Sequence, residues 1–223
     1  MKGDTMRMVL RSIGVGIGVT LLCAIAFSAA VDKGNTGYQE LGGFRFYTEG
    51  ALGKIKVHMY VNNRIDGDYF QIVSRWIDSR LFGKVDEVFI DIHSAGGAVF
   101  EGVKAANEIR RWQAKGIKVT TFTRSLAASA AAYVFLYGDK RYIAPGAWLM
   151  HHSIQLPMFY TPTESEKQAL SRLQHQLNMA WIDRIQIKSP AIYAYFYIPF
   201  GSDRQVWINH IWAKIYGLAE VKE

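Results

Sequence analysis

The apolar residues of the chain follow two periods that alternate along the sequence. Residues 55–61 are apolar at every second position, as in a half-buried strand, and residues 88–92 form a short apolar run typical of an interior strand. Apolar residues recur at helical spacing in residues 70–81 and 99–114, and residues 117–122 form another strand-like run. Strands that alternate with helices of this length predict an α/β fold of right-handed βαβ units with a mostly parallel sheet.

The second half of the chain is predicted to contain three further helices. Residues 127–137 are mostly small and follow a strand. A longer helix begins at residues 161–164, which supply a capping threonine, a proline at the first helical position and a glutamate at the third, and it ends before Pro190. Its apolar face either packs on its own domain or mediates self-association. Residues 207–218 form the last predicted helix, closed by Gly217.

The N-terminal residues have the charge pattern of an export segment. Three basic residues precede an uncharged apolar run from residue 12 to residue 31. At about 1.5 Å per residue this run is just long enough to cross a bilayer, so residues 1–31 are either a cleaved signal peptide or an N-terminal membrane anchor. Both alternatives predict that residues 32–223 form one exported domain.

The composition excludes several classes of protein. Of 223 residues, 50% are hydrophobic and 13% aromatic, which is too much for a disordered chain. The single cysteine, Cys23, excludes an internal disulfide and falls within the export segment. The formal net charge of +7 is compatible with a nucleic acid or an anionic membrane surface but identifies neither.

A glycine pair follows the strand of residues 88–92. Gly96 and Gly97 lie at a strand-to-helix turn, where the absence of Cβ atoms lets backbone N–H groups approach a ligand or a developing oxyanion. A glycine pair is more often only a turn. The segment lacks the spacing of a dinucleotide fingerprint and the lysine of a phosphate-binding loop.

Ser129 is the candidate nucleophile. It lies among alanines just after a strand and at a helix start, where small neighbours allow a tight turn around an exposed hydroxyl. Two alternatives remain open at this stage. The small residues can serve only close helix packing, and Ser125 is a rival serine that can also act as a helix cap.

Two histidines end the strand that begins near residue 148. A serine nucleophile needs a base within hydrogen-bond reach, and imidazole is the usual one near neutral pH. His151 and His152 are adjacent on a strand and point to opposite faces, so at most one of them faces Ser129. The same geometry disfavours a metal site, and we expect neither a metal nor a cofactor.

Three segments in this order resemble the Clp protease proteolytic subunit and its relatives. They are residues 91–97 with a Ser-x-Gly-Gly turn, residues 127–130 with the small-residue serine segment, and residues 141–152 with a Pro…Met-x-His strand. The match covers residues 55–155 and implies a ClpP/crotonase-like spiral of ββα units with a long helix in the C-terminal half. A preceding export segment is similar to that of bacterial periplasmic Clp-like proteins, which implies a periplasmic domain or one anchored to the inner membrane facing the periplasm.

The resemblance implies peptide-bond hydrolysis. The predicted export implies that this hydrolysis is independent of ATP, because an ATP-driven unfoldase partner would lie in the cytoplasm. Ser129 would be the nucleophile, His152 rather than His151 the base, and the N–H groups of Gly96, Gly97 and Ala130 the oxyanion donors. The expected partners are a peptide or protein substrate, the membrane if the N-terminal segment is uncleaved, and further copies of the chain in a homo-oligomer. Nucleic acid is not an expected partner.

The third catalytic residue departs from the family pattern. Gln205 aligns where an aspartate is expected, and Asp203, two residues earlier, is the candidate acid only if the loop runs differently. Two alternative functions therefore stay open. One is a non-catalytic binding or assembly module of the same fold, and the other is a serine–lysine protease similar to signal peptide peptidases.

Overall fold

A computed structural model describes residues 38–41, 44–49, 55–79, 85–153, 163–185 and 203–223. The predicted signal peptide or anchor at residues 1–31 lies outside these residues. None of the helices that are described combines the length and the hydropathy needed to cross a bilayer.

The described residues form ten strands and five helices. The strands are β1 (Tyr38–Leu41), β2 (Phe44–Glu49), β3 (Ile55–Val61), β4 (Val85–Ile92), β5 (Lys118–Thr123), β6 (Leu126–Ala128), β7 (Lys140–Ile143), β8 (Trp148–His152), β9 (Gln205–Asn209) and β10 (Glu220–Val221). The helices are α1 (Gly67–Asp78), α2 (Val99–Ala114), α3 (Ala130–Phe135), α4 (Glu164–Ile185) and α5 (His210–Ile215).

The strands form two sheets. The larger has seven strands in the order β1-β2-β3-β4-β5-β7-β10, and its pairings from β3 onward are parallel. The smaller has the order β6-β8-β9, with β6 parallel and β9 antiparallel to β8. The predicted α/β fold with a largely parallel sheet is confirmed.

The core lies between the larger sheet and helices α1 and α2. Strand β3 alternates buried and half-buried residues as predicted, and β4 ends in three consecutive buried residues. Phe70 of α1 and Trp112 of α2 stack in this core with ring centroids 6.1 Å apart. The indole N–H of Trp112 donates to Ser74 Oγ at 2.7 Å, so the one polar group of that ring is satisfied.

Helix α2 spans the predicted residues, but the predicted helix over residues 127–137 was wrong at its start. Leu126–Ala128 is strand β6, and the helix α3 begins only at Ala130. The alanines favour a helix by propensity, yet the peptide groups of β6 pair with β8 and with Ser94. Tertiary pairing therefore overrides local propensity and leaves Ser129 alone between the two elements.

The last predicted helix, over residues 207–218, was also wrong at its start. Gln205–Asn209 is strand β9, and α5 covers only His210–Ile215. Val206 and Ile208 are buried while Trp207 between them is exposed, which is the period of a strand. Gly217 has φ +68° just beyond α5, in agreement with the predicted closure.

The long helix α4 begins later than its capping pattern predicted. Its capping box consists of Thr163 and Glu166: the Glu166 N–H donates to Thr163 Oγ1 at 3.4 Å, and the Thr163 N–H donates to Glu166 Oε2 at 2.8 Å. The capping residue is therefore Thr163 and not the predicted Thr161, two residues earlier. The predicted stop at Pro190 lies outside the described residues.

Candidate active site

Ser129 occupies a strained turn between β6 and α3. Its backbone has φ 54° and ψ −124°, and among the described residues it is the only non-glycine residue with a positive φ. The Ser129 N–H donates to the carbonyl of Met150 at 2.8 Å, which ties the turn to strand β8. A non-glycine residue in this region costs of order 1–3 kcal/mol, and such strain concentrates at functional sites.

The glycine turn packs directly against this serine. Gly96 has φ +106°, and a Cβ atom there would lie 2.8 Å from Ser129 Cβ and 2.7 Å from the carbonyl oxygen of Ala128. Only glycine allows this approach. The turn is held in place because the Ser94 N–H donates to the Leu126 carbonyl at 2.9 Å and the Ala128 N–H donates to the Ser94 carbonyl at 3.0 Å.

Gly97 is required for a different reason. A Cβ atom there would lie 2.6 Å from the carbonyl oxygen of Ile65, the residue with which Gly97 forms a parallel bridge. The two glycines therefore hold the turn between the nucleophile on one side and the segment after β3 on the other.

The three predicted oxyanion donors differ in their hydrogen bonds. The Gly96 N–H donates to Ser94 Oγ at 3.1 Å. No described residue accepts a hydrogen bond from the N–H of Gly97 or Ala130. Gly97 and Ala130 are thus the two predicted oxyanion donors whose N–H groups have no acceptor among the described residues.

The two histidines have different environments. His152 is half-buried, and its Nδ1 donates to the carbonyl of Ser153 at 2.6 Å. A carbonyl can only accept, so Nδ1 carries the proton and Nε2 of the neutral ring is left as an acceptor. His151 is 4% exposed; burial first, and repulsion by His152 second, lower its pKa to about 3. A group with that pKa is a weak base, so His152 is the base candidate of the pair.

One cavity of about 450 Å³ brings most of the predicted site residues together. Ser129, His152, Gly96, Gly97 and Ala130 all line it. The other described lining residues are Arg64, Ala95, Val99, Val103, Tyr133, His151 and Leu177.

The walls of this cavity were not identified from the sequence. They are mainly apolar, and Arg64 is the only Lys, Arg, Asp or Glu among the described lining residues. Leu177 comes from α4, far along the chain from Ser129, and no local pattern in the sequence connects the two residues.

The third predicted catalytic residue is not part of the cavity. Asp203 is exposed and is absent from the described lining residues. Gln205 lies opposite His152 in the β8–β9 register, is exposed, and its Oε1 accepts from the Trp207 indole N–H at 3.0 Å. No carboxylate among the described residues lines the cavity.

The rival serine lies elsewhere. Ser125 and His93 are both exposed and form a hydrogen bond with each other, and neither is among the described residues that line the cavity. This second serine–histidine pair does not line the cavity that contains the glycine turn, which argues against Ser125 as the nucleophile.

A single group of acidic residues in the described part of the chain has the spacing of metal ligands. It consists of Asp66, Asp68 and Glu101. The Lys104 ammonium already pairs with Asp68 at 3.4 Å and with Glu101 at 2.9 Å. None of the three acids lines the cavity, so this cluster has no connection with the chemistry at Ser129.

Comparison with known proteins agrees with this arrangement. The Clp protease family model matches residues 71–221, about two thirds of the chain. The chain belongs to the Clp protease family. Membership indicates a serine peptidase domain. A search of curated proteins found no match.

Among solved structures, the chain is similar to a point mutant of ClpP1 from Listeria monocytogenes. The two share 22% sequence identity with a TM-score of 0.56, over 74% of this chain and 91% of that one. At this identity the likeness establishes the fold alone, and it confirms the predicted ClpP/crotonase-like fold. The family match includes Gly96, Ser129 and His152 within its span, and it includes Gln205 as well.

Proposed function

We propose that the protein is an exported, ATP-independent serine peptidase in which Ser129 is the nucleophile and His152 the base. The observation that carries this proposal is the shared cavity: the strained serine, the half-buried histidine whose Nδ1 donates to a carbonyl, and the residues Gly97 and Ala130 all line the same space. Membership of the Clp protease family supports the same chemistry.

The reaction begins when Ser129 Oγ attacks the carbonyl carbon of a peptide bond and Nε2 of His152 accepts the hydroxyl proton. The N–H groups of Gly97 and Ala130 stabilise the negative charge on the former carbonyl oxygen. His152 then returns the proton to the leaving amine as the C–N bond breaks. Water, activated by the same histidine, hydrolyses the ester on Ser129 and releases the second fragment.

The nucleophile is tested with a fluorophosphonate probe, which bonds through phosphorus to an activated serine oxygen with loss of fluoride. We expect labelling of the full chain, no labelling of Ser129→Ala, and strongly slowed labelling of His152→Ala. Ser125→Ala is the matched control and keeps wild-type labelling. Equal labelling of Ser129→Ala and the wild type would refute the proposal. Mass spectrometry of a digested peptide mixture then tests peptide-bond cleavage.

The non-catalytic binding module is the alternative that one observation favours. No carboxylate among the described residues lines the cavity beside His152. A folded wild-type chain that neither reacts with the probe nor cleaves peptides would establish this alternative. A serine–lysine mechanism has less support, because no lysine is among the described lining residues. Full activity of His152→Ala would favour it.

Export is part of the proposal and is supported by the basic and then apolar pattern of residues 1–31. The N-terminal sequence and mass of the protein from fractionated cells distinguish a cleaved signal peptide from a retained anchor. Recovery of the whole chain in the cytoplasm would contradict export.

Besides a peptide substrate, we propose further copies of the chain as a partner. Residues 163–169 of the α4 region are exposed, as are large apolar side chains near α5, among them Trp207 and Ile215. Light scattering of the purified chain measures the oligomeric state. A monomer at all concentrations tested would exclude this part of the proposal.

A further inference from the structure

Among the residues that the structure describes, no carboxylate orients the base of this site. Gln205, opposite His152 on β9, is engaged with Trp207, and Asp203 is exposed outside the described lining of the cavity. The acceptor for His152 Nδ1 is instead the Ser153 carbonyl at 2.6 Å. A neutral carbonyl can fix the tautomer and the direction of the ring, which is the positioning part of the role an acid has in a triad.

The position of that carbonyl depends on a buried contact with helix α4. The Ser153 side chain accepts a hydrogen bond from the Gln174 amide, and the two residues are 2% and 4% exposed. Buried polar side chains are costly unless they are hydrogen-bonded, so this pair is stable only when both partners are in place. The bond therefore fixes the end of β8 relative to α4.

Gln174 is unusual within its helix. It is the only fully buried residue among the α4 side chains that the structure describes, although a helix buries apolar residues by default. Leu177, one turn further on, lines the cavity. The position of α4 therefore determines two features of the site. It places Leu177 in the cavity lining, and through Ser153 it places the carbonyl that accepts from His152.

We propose that Gln174 is a positioning residue for His152. Its amide holds Ser153 so that the Ser153 carbonyl keeps Nδ1 protonated and directs Nε2 toward Ser129. The packing of α4 against the end of β8 then determines whether the His152 ring is correctly oriented. This inference rests on the proposed function, because it assigns the orienting role that the missing acid leaves open.

The test uses the full chain with Gln174→Met, which keeps the length of the side chain but removes the donor. We expect the rate of fluorophosphonate labelling at Ser129 to fall at least ten-fold across the pH profile. Gln176→Met makes the same chemical change at an exposed position of α4 and keeps the wild-type rate. A wild-type rate for Gln174→Met would overturn the proposal.

A double variant separates positioning from stability. Ser153→Ala alone leaves the buried Gln174 amide without its acceptor and is expected to lower the thermal stability. Ser153→Ala combined with Gln174→Met removes both polar groups, so we expect it to restore the thermal stability. If Gln174 positions His152, the double variant is stable but its Ser129 is still labelled slowly by the fluorophosphonate probe. Recovery of the labelling rate together with stability would reduce the pair to a structural contact and overturn the proposal.

A spectroscopic measurement keeps the test independent of activity. The ring nitrogens of ¹⁵N-labelled histidine report the tautomer of His152, whose signals are assigned by their loss in His152→Ala. We expect the Nδ1–H tautomer in the wild type and a mixture of tautomers in Gln174→Met. If Ser129 is never labelled, the proposed function fails, and an unchanged His152 tautomer in Gln174→Met separately overturns the positioning role.

Discussion

The two sides of the candidate active site are held by different kinds of contact. On the nucleophile side, Gly96 lies against Ser129 because the backbones of the turn and of β6 are hydrogen-bonded to each other and no Cβ atom intervenes. On the base side, His152 is oriented through a carbonyl whose position depends on the side-chain pair of Ser153 and Gln174. Backbone sterics make the first arrangement rigid, whereas the second depends on how a distant helix packs.

The largest effect is expected on the nucleophile side, from Gly96→Ala. The new methyl group would meet Ala128 and Ser129 at under 3 Å, and the backbone there has φ +106°. Displacing the nucleophile by about 1 Å costs about 100-fold in rate, so we expect the labelling rate at Ser129 to fall by that factor or more.

Gly116→Ala is the matched control for this substitution. Gly116 also has a positive φ, +77°, but nothing lies within 4 Å of its added Cβ. We expect Gly116→Ala to lower the free energy of unfolding by about 1 kcal/mol and to leave the labelling rate at Ser129 unchanged. Equal labelling rates in the two variants would show that close approach at Gly96 has no importance for the site.

On the base side, the next largest effect concerns His151 and low pH. Burial lowers the pKa of His151 to about 3, whereas the unfolded chain has the ordinary value of 6.5. Below pH 6.5 the unfolded state binds the proton more readily, so this histidine lowers stability progressively as the pH falls from about 6.5 to about 3 and has no such effect above 6.5. The loss is about 1.4 kcal/mol per pH unit well inside this window.

Denaturant unfolding between pH 7 and pH 4 measures this loss. His151→Leu is expected to flatten the dependence, and His175→Leu, at an exposed position of α4, to leave it unchanged. The same slope in His151→Leu as in the wild type would show that the buried histidine is not the cause.

A smaller effect tests the strain at the nucleophile. Ser129→Ala and Ser129→Gly both remove the hydroxyl, but glycine adopts φ 54° without the steric cost that a Cβ atom brings. We expect Ser129→Gly to be more stable than Ser129→Ala by about 1 kcal/mol in the free energy of unfolding. Equal stabilities would show that the turn stores no strain.

The smallest effect is expected from the exposed arginine that lines the cavity. Arg64 is the only Lys, Arg, Asp or Glu among the described lining residues, so peptides with a glutamate near the scissile bond should be cleaved faster than those with a lysine. A solvated charge pair is worth about 1 kcal/mol, or about five-fold in kcat/KM. Arg64→Gln should abolish this preference and Arg75→Gln, on the exposed surface of α1, should retain it. An unchanged preference in Arg64→Gln would contradict a role for this charge.

Much of the fold was predictable because its signals are local. Helix α2 occupies Val99–Ala114 as predicted, since its apolar spacing lies within one segment. The starts of α3 and α5 were predicted wrongly because β6 and β9 exist only through their pairing with β8. The β-branched and aromatic run Val206-Trp207-Ile208 was a usable sequence signal for a strand.

The site was predictable to a similar extent. Ser129, His152 and the glycine pair were identified by residue type and order, and the structure places them in one cavity. The hydrogen-bond acceptor for His152 was not identified from the sequence. The Ser153 carbonyl and Gln174, 21 positions later, form no recognisable sequence pattern. The assignment of catalytic roles to these residues stays a prediction until labelling tests it.

The sequence by itself determined the alternation of β3, β4 and β5 with helices α1 and α2, the glycines at the turn and the candidate serine, because these depend on periodicity and on the steric demands of single residues. Only the tertiary structure decided which histidine is buried and neutral, that Asp203 lies outside the described cavity lining, and that Gln174 contacts the base through Ser153. Those features depend on desolvation and on contacts between distant segments, and neither is encoded at any one position of the chain.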